Sequence, residues 1–129
     1  MAHAAEFREH VENVQERRNG RPIDLVHLAK QCLGDEGLER EVLVLFDTTI
    51  ASFLDRLELS TTFDELTANL HSIKGASAGV GAWTIAELAK AAEDELREGR
   101  PVNPERIQDI GMAVEEVRSF IADMLRDAV

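Results

Sequence analysis

The stretch His71-Ser72-Ile73-Lys74-Gly75-Ala76-Ser77-Ala78-Gly79-Val80-Gly81 decides how the chain is read. It holds a histidine, a lysine three residues on and a glycine four residues on. Those spacings put the three side by side on one face of a helix. A glycine inside a helix costs about 1 kcal/mol relative to alanine, so something other than helix stability favours Gly75 there. His71 reads as an exposed nucleophile, and the small residues beside it leave room for a partner protein. The rest of the chain then becomes the bundle that carries this helix.

Just upstream, Ser60-Thr61-Thr62 breaks the chain. Thr62 with Glu65, and Thr61 with Asp64, have capping-box spacing. The helix that follows runs to about Val80, with Phe63, Leu66, Leu70, Ile73, Ser77 and Val80 as its inward stripe. At about 100° per residue, His71 lies roughly 120° from the centre of that stripe. Asp64, Thr67, Gly75 and Ala78 share its sector, and Lys74 stands on the edge as the one cation. Ser77, on the stripe, reads as a packed small residue.

Further upstream, a long helix starts at Asp35 or Glu36 and runs to about Leu59. Leu43, Phe46, Ile50, Phe53 and Leu57 form its stripe, widened by Leu38, Val42, Leu45 and Thr49. A stripe this wide marks a central helix touching two neighbours. Before it, Pro22 and Asp24 open a short helix, about Ile23 to Leu33, that Gly34 closes. His27 on that helix is expected at the surface, and Cys32 as a small buried hydrophobe. The first helix, about Ala4 to Arg18, has a thin stripe (Ala4, Phe7, Val11, Val14) and ends at Asn19-Gly20. Such a stripe suits a helix laid over a bundle.

Downstream, a helix from about Trp83 to Arg97 carries Ile85, Leu88, Ala92 and Leu96 inward, and its alanines keep it slim. Trp83 is expected to pack at the helix junction. After Gly99-Arg100-Pro101, Asn103 caps a last helix with Pro104 at its first position and Glu105 at its positive end. It runs to about Arg126, with Ile107, Ile110, Val114, Val117, Ile121 and Met124 inward. Four long amphipathic helices with short connections predict an all-α fold, an antiparallel up-down four-helix bundle with one or two N-terminal helices covering it.

Composition narrows the function. The formal net charge of −11 repels the nucleic-acid backbone and anionic lipid, so neither is an expected partner. One cysteine excludes an internal disulfide and a CxxC metal site. No apolar run approaches a membrane span, and the N-terminus lacks a signal-peptide layout. A cytoplasmic, monomeric protein is the expectation. His3, His10 and His27 follow no ligand spacing, and the inward Glu and Glu-x-x-His ligands of a bundle metal protein are missing.

The run His71-Ser72-Ile73-Lys74-Gly75-Ala76-Ser77, then Val80-Gly81-Ala82, then Leu88 and Glu93, resembles the histidine-containing phosphotransfer (HPt) domains of two-component phosphorelays. The segment from Leu66 to Glu93 fits as a whole, and the helix order from Asp24 to Leu125 fits that family's bundle. The first helix is less diagnostic. The chain is thus expected to be a single HPt-like domain over residues 1–129, with the bundle core at about 35–126 and N-terminal helices at about 4–33.

The resemblance implies that His71 takes up the phosphoryl group, that Lys74 stabilises its charge, and that Gly75 lets a response-regulator receiver domain approach. At the position twenty-two residues after the histidine, often glutamine in free-standing members, stands Glu93. There the chain looks more like the phosphoacceptor domain of chemotaxis histidine kinases, in which a glutamate hydrogen-bonds the unreactive ring nitrogen. A receiver or a kinase could therefore feed His71.

The chemistry follows from imidazole, which with a pKa of about 6.5 is largely neutral at cytoplasmic pH. Nε2 would attack phosphorus in line while Glu93 accepts Nδ1–H and fixes the tautomer, as a triad aspartate does. Lys74 would meet the incoming charge. No cofactor is expected on this chain; the divalent cation would sit in the partner receiver. With no phosphate loop or ATP-binding domain, the protein is expected to act as a phosphocarrier without its own kinase activity. Thr67, Gly75, Ala78 and Gly79, with parts of the N-terminal helices, are the candidate partner-binding residues. The competing readings are a module phosphorylated directly by a chemotaxis-type kinase and a non-catalytic adaptor that docks receivers.

Overall fold

A computed structural model describes residues 21–127. Among them are five helices and no strand: α1 (Leu25–Gln31), α2 (Glu36–Leu59), α3 (Phe63–Val80), α4 (Trp83–Arg97) and α5 (Pro104–Asp127). The helix expected over residues 4–18 lies outside the described residues.

Side chains placed by the sequence fix the starts of these helices. Asp24 Oδ1 accepts from His27 N at 3.1 Å, and Asp35 Oδ1 from Leu38 N at 3.1 Å. Each satisfies one of the orphan N–H groups that open a helix. Of the two spacings at the start of α3, the structure uses Thr62 with Glu65. Thr62 Oγ1 accepts from Glu65 N at 3.1 Å, and Glu65 Oε2 accepts in return from Thr61 N at 3.0 Å. Asn103 Oδ1 accepts from Glu105 N at 2.9 Å at the start of α5.

Three helix ends close by one device, in which paired backbone bonds reach back across a left-handed residue. At the end of α3, Ala82 N donates to Ser77 O at 2.8 Å and Gly81 N to Ala78 O at 3.3 Å, with Gly81 at φ 85°. Gly99 (φ 78°) plays that part after α4, where Arg100 N reaches Glu95 O at 2.9 Å. At the end of α1 the part falls to Leu33 (φ 54°), one residue before the expected Gly34. Gly34 N bonds Ala29 O at 2.9 Å and Leu33 N bonds Lys30 O at 3.2 Å. α1 is therefore shorter than the expected span from Ile23 to Leu33, and Leu33 is left 93% exposed.

Helices α2, α3, α4 and α5 pack in a ring: α3 against α2 and α4, α5 against α2 and α4. α1 lies over α3 and α2. Leu43, Phe46, Ile50, Leu57, Leu70, Ile73, Ile85, Ile110, Val114, Val117 and Ile121 form the buried centre, with Ile23, Leu28 and Cys32 joining from the α1 segment. Burial raises the Cys32 thiol pKa above its ordinary value, with Glu39 and Asp35 adding to the rise. Ser77 is buried, as expected. Four positions differ from the expected stripes. Leu54 is buried in α2 while Leu38 and Leu45 are exposed, and Phe63, at the first turn of α3, is exposed. Periodicity alone does not distinguish a flank facing a neighbour from one facing water.

Polar ties fasten the ring. Arg118 Nε donates to Asp47 Oδ1 at 2.9 Å between α5 and α2. Arg106 Nε donates to Glu95 Oε1 at 3.1 Å between α5 and α4. No described helix is long and apolar enough to cross a membrane.

Candidate functional site

His71 sits midway along α3, on its outward face, with its side chain 71% exposed. Its helical neighbours are small. Gly75 and Gly79 are exposed, and a Cβ built on either would meet nothing within 4 Å. Ala78 is half-buried. Thr67 is half-buried too, but its Oγ1 is buried, so the hydroxyl is not offered to solvent. Ala68, three residues before His71, is exposed and extends the small-residue surface by one turn beyond the predicted set.

Behind this face lies Glu93, on α4. It is the one charged side chain buried among the described residues, 3% exposed. Its Oε2 lies 3.6 Å from His71 Nδ1, just outside hydrogen-bond distance. Its Oε1 lies 3.0 Å from Lys74 Nζ. The structure therefore brings together all three residues singled out for chemistry, across two adjacent helices. It also changes the setting of Lys74, which is not a free cation beside the histidine but is ion-paired to Glu93 and only 29% exposed. This follows from burial: a carboxylate out of water needs paired cations.

A fourth member went unread in the sequence. Arg97 Nη2 donates to Glu93 Oε2 at 3.4 Å, so Arg97 and His71 face the same carboxylate oxygen. The signal was present, since Glu93 and Arg97 stand four apart on one helix. Among the described residues, no group of three His, Cys, Asp or Glu side chains is placed to hold a metal ion.

His27 departs from expectation. It is half-buried, with its ring edge-on to Trp83 at 4.8 Å between centroids. Trp83 Nε1 donates to Asp24 Oδ2 at 3.0 Å, which places the tryptophan at the junction of α1 with the α3–α4 turn. These residues position α1 against the α3–α4 turn.

His71 thus presents an exposed imidazole on a helix face of small residues, with the carboxylate of Glu93 behind it. The comparison with protein families agrees: residues 40–120 match the family model of the Hpt domain. The chain belongs to that family, the histidine phosphotransfer modules of two-component phosphorelays, which exchange phosphoryl groups with receiver domains and kinases. No curated protein and no solved structure matches the chain.

Proposed function

We propose that this protein relays a phosphoryl group to and from receiver aspartates through His71. The observation that carries the reading is the placing of the imidazole. Nδ1 is backed against buried Glu93 while the ring is largely exposed beside Gly75 and Gly79, which leaves Nε2 facing a partner. The Nε2 lone pair attacks the phosphorus of a phospho-aspartate in line. The N–P bond forms, the P–O bond breaks, and the aspartate carboxylate leaves. Nδ1 keeps its proton, held toward Glu93, and the ring takes a positive charge. Transfer of this kind depends mostly on positioning and charge neutralisation. Lys74 supplies cationic charge from this chain; the divalent cation and the acidic pocket belong to the receiver.

Gly75, Gly79, Ala78 and the surface around Thr67 form the docking face, with α1 at its side. Short connections between the ring-packed helices support an antiparallel up-down bundle acting as a monomeric unit. The test is phosphotransfer profiling against the receiver domains of the source organism. The wild-type chain should acquire an acid-labile phosphoryl group, and His71→Gln should acquire none. Docking of receivers by both, with label on neither, would instead leave an adaptor.

The carboxylate at Glu93 favours a second reading, phosphorylation directly by a chemotaxis-type kinase, since it lies close to Nδ1. Glu93→Gln separates the two. It should slow kinase-fed labelling more than receiver-fed labelling if the kinase route is the physiological one.

A further inference from the structure

Glu93 is surrounded by more positive charge than one carboxylate needs. Oε1 meets Lys74 Nζ at 3.0 Å, while Oε2 meets Arg97 Nη2 at 3.4 Å and His71 Nδ1 at 3.6 Å. If His71 accepts the phosphoryl group and Lys74 turns to meet its oxygens, the lysine loosens its hold on Oε1. A buried carboxylate oxygen that loses its cation is destabilised, so the lysine leaves Oε1 more readily if another cation takes its place there.

Arg97 is built for that exchange. It is four residues along the same helix from Glu93, and it carries a planar guanidinium. The planar fork can grip both carboxylate oxygens at once. In the resting state it touches only Oε2, with its other arm 3.9 Å from Asp94 Oδ1. Its side chain is 71% exposed, so it has room to re-seat.

We propose that Arg97 is a positioning residue that takes over Glu93 as Lys74 swings to the phosphoryl group. The inference rests on His71 being the phosphoryl acceptor. During the step Nε2 forms its bond to phosphorus and the donor leaves with the electron pair of the broken bond. What changes is how the Glu93 oxygens are shared: lysine on Oε1 and arginine on Oε2 before transfer, arginine on both after.

Phosphoramidate tests this in the full chain without any partner. Its P–N bond breaks and ammonia leaves as the phosphohistidine forms, which phosphorus NMR follows. Arg97→Gln should slow labelling about tenfold, the scale of one lost charge-assisted hydrogen bond, and Arg97→Lys should recover part of the rate. In a Glu93→Gln background the amide needs no counter-cation, so adding Arg97→Gln should change nothing further. The same slowing in that background would overturn the proposal, because the guanidinium would then act on the phosphoryl group itself. A wild-type rate for Arg97→Gln would also overturn it and leave a surface ion pair. If the Glu93→Gln background labels too slowly to time, labelling is run to completion and loss of the phosphoryl group is timed across the same four proteins. Loss of additivity between the two substitutions is the supporting result, and additivity the overturning one. His71→Gln is the control. Label on it would sink the acceptor reading, whereas clean labelling of His71 with Arg97 inert would sink only the role of Arg97.

Discussion

Gly75 inside α3 and Gly81 at its C-terminal cap stand six residues apart and owe their places to different causes. At Gly81 the chain itself demands glycine. The residue is left-handed at φ 85°, and a Cβ there would come within 3.0 Å of Asp24 O and 3.1 Å of Asp24 Cβ. The carbonyl of Gly81 accepts from Asp24 N at 2.9 Å, so the start of α1 rests directly on the turn between α3 and α4. At Gly75 nothing lies within 4 Å of the missing Cβ, and the backbone is ordinary helix. The fold does not use that vacancy, and its own helix would be steadier with alanine. A glycine required from inside marks architecture. One left open beside an exposed histidine is, on the proposed function, a surface kept clear for a partner.

The largest expected effect breaks the comparison at its structural end. Gly81→Ala forces a Cβ into a left-handed position against the Asp24 backbone, so stability should fall by about 2–3 kcal/mol, read as a lower urea midpoint. An unchanged midpoint would mean that the turn relaxes freely and that the two glycines are alike. Next in size is Asp24→Ala. One oxygen of Asp24 caps α1 and the other accepts from Trp83 Nε1. Their loss should cost about 1–2 kcal/mol. Trp83 is the only tryptophan in the chain, so its emission should shift to the red as the indole loses its partner. Emission that does not move would remove Asp24 from the junction.

These two regions also show what a sequence can yield. The face around His71 was legible because it depends on spacings of three and four within one helix, which hold whatever packs behind it. The caps at Thr62 and Asn103 were legible for the same local reason, whereas Asp24 and Asp35 were read only as opening their helices. At the junction the packing of Trp83 was legible, but its partners were not. Asp24 and Trp83 are 59 residues apart, and nothing local in His27 says that its ring meets an indole. The left-handed Leu33 escaped as well, because Gly34 beside it is the better candidate on propensity. Within the site, Glu93 emerged from the family resemblance, yet its grip on Lys74 did not. That pairing follows from how deeply α4 buries the carboxylate, and burial is a property of the packed ring.

The smallest effect is the sharpest, because it predicts opposite signs for two measurements on one variant. Gly75→Ala adds a methyl group where the chain has open space and removes a glycine from a helix interior. Stability should rise by about 0.5–1 kcal/mol, read as a higher melting temperature. Labelling of His71 by phosphoramidate should be unchanged, since a donor that small needs no docking face. Labelling by a phosphorylated receiver should slow, because the methyl group stands where the partner backbone must approach. Gly79, equally open and one turn further from His71, should repeat the gain in stability with less loss of transfer. If Gly75→Ala slows both donors, the residue acts on the chemistry of His71 and not on approach. If it slows neither, the cleared face has no partner at that point, and the contrast with Gly81 reduces to one of backbone conformation.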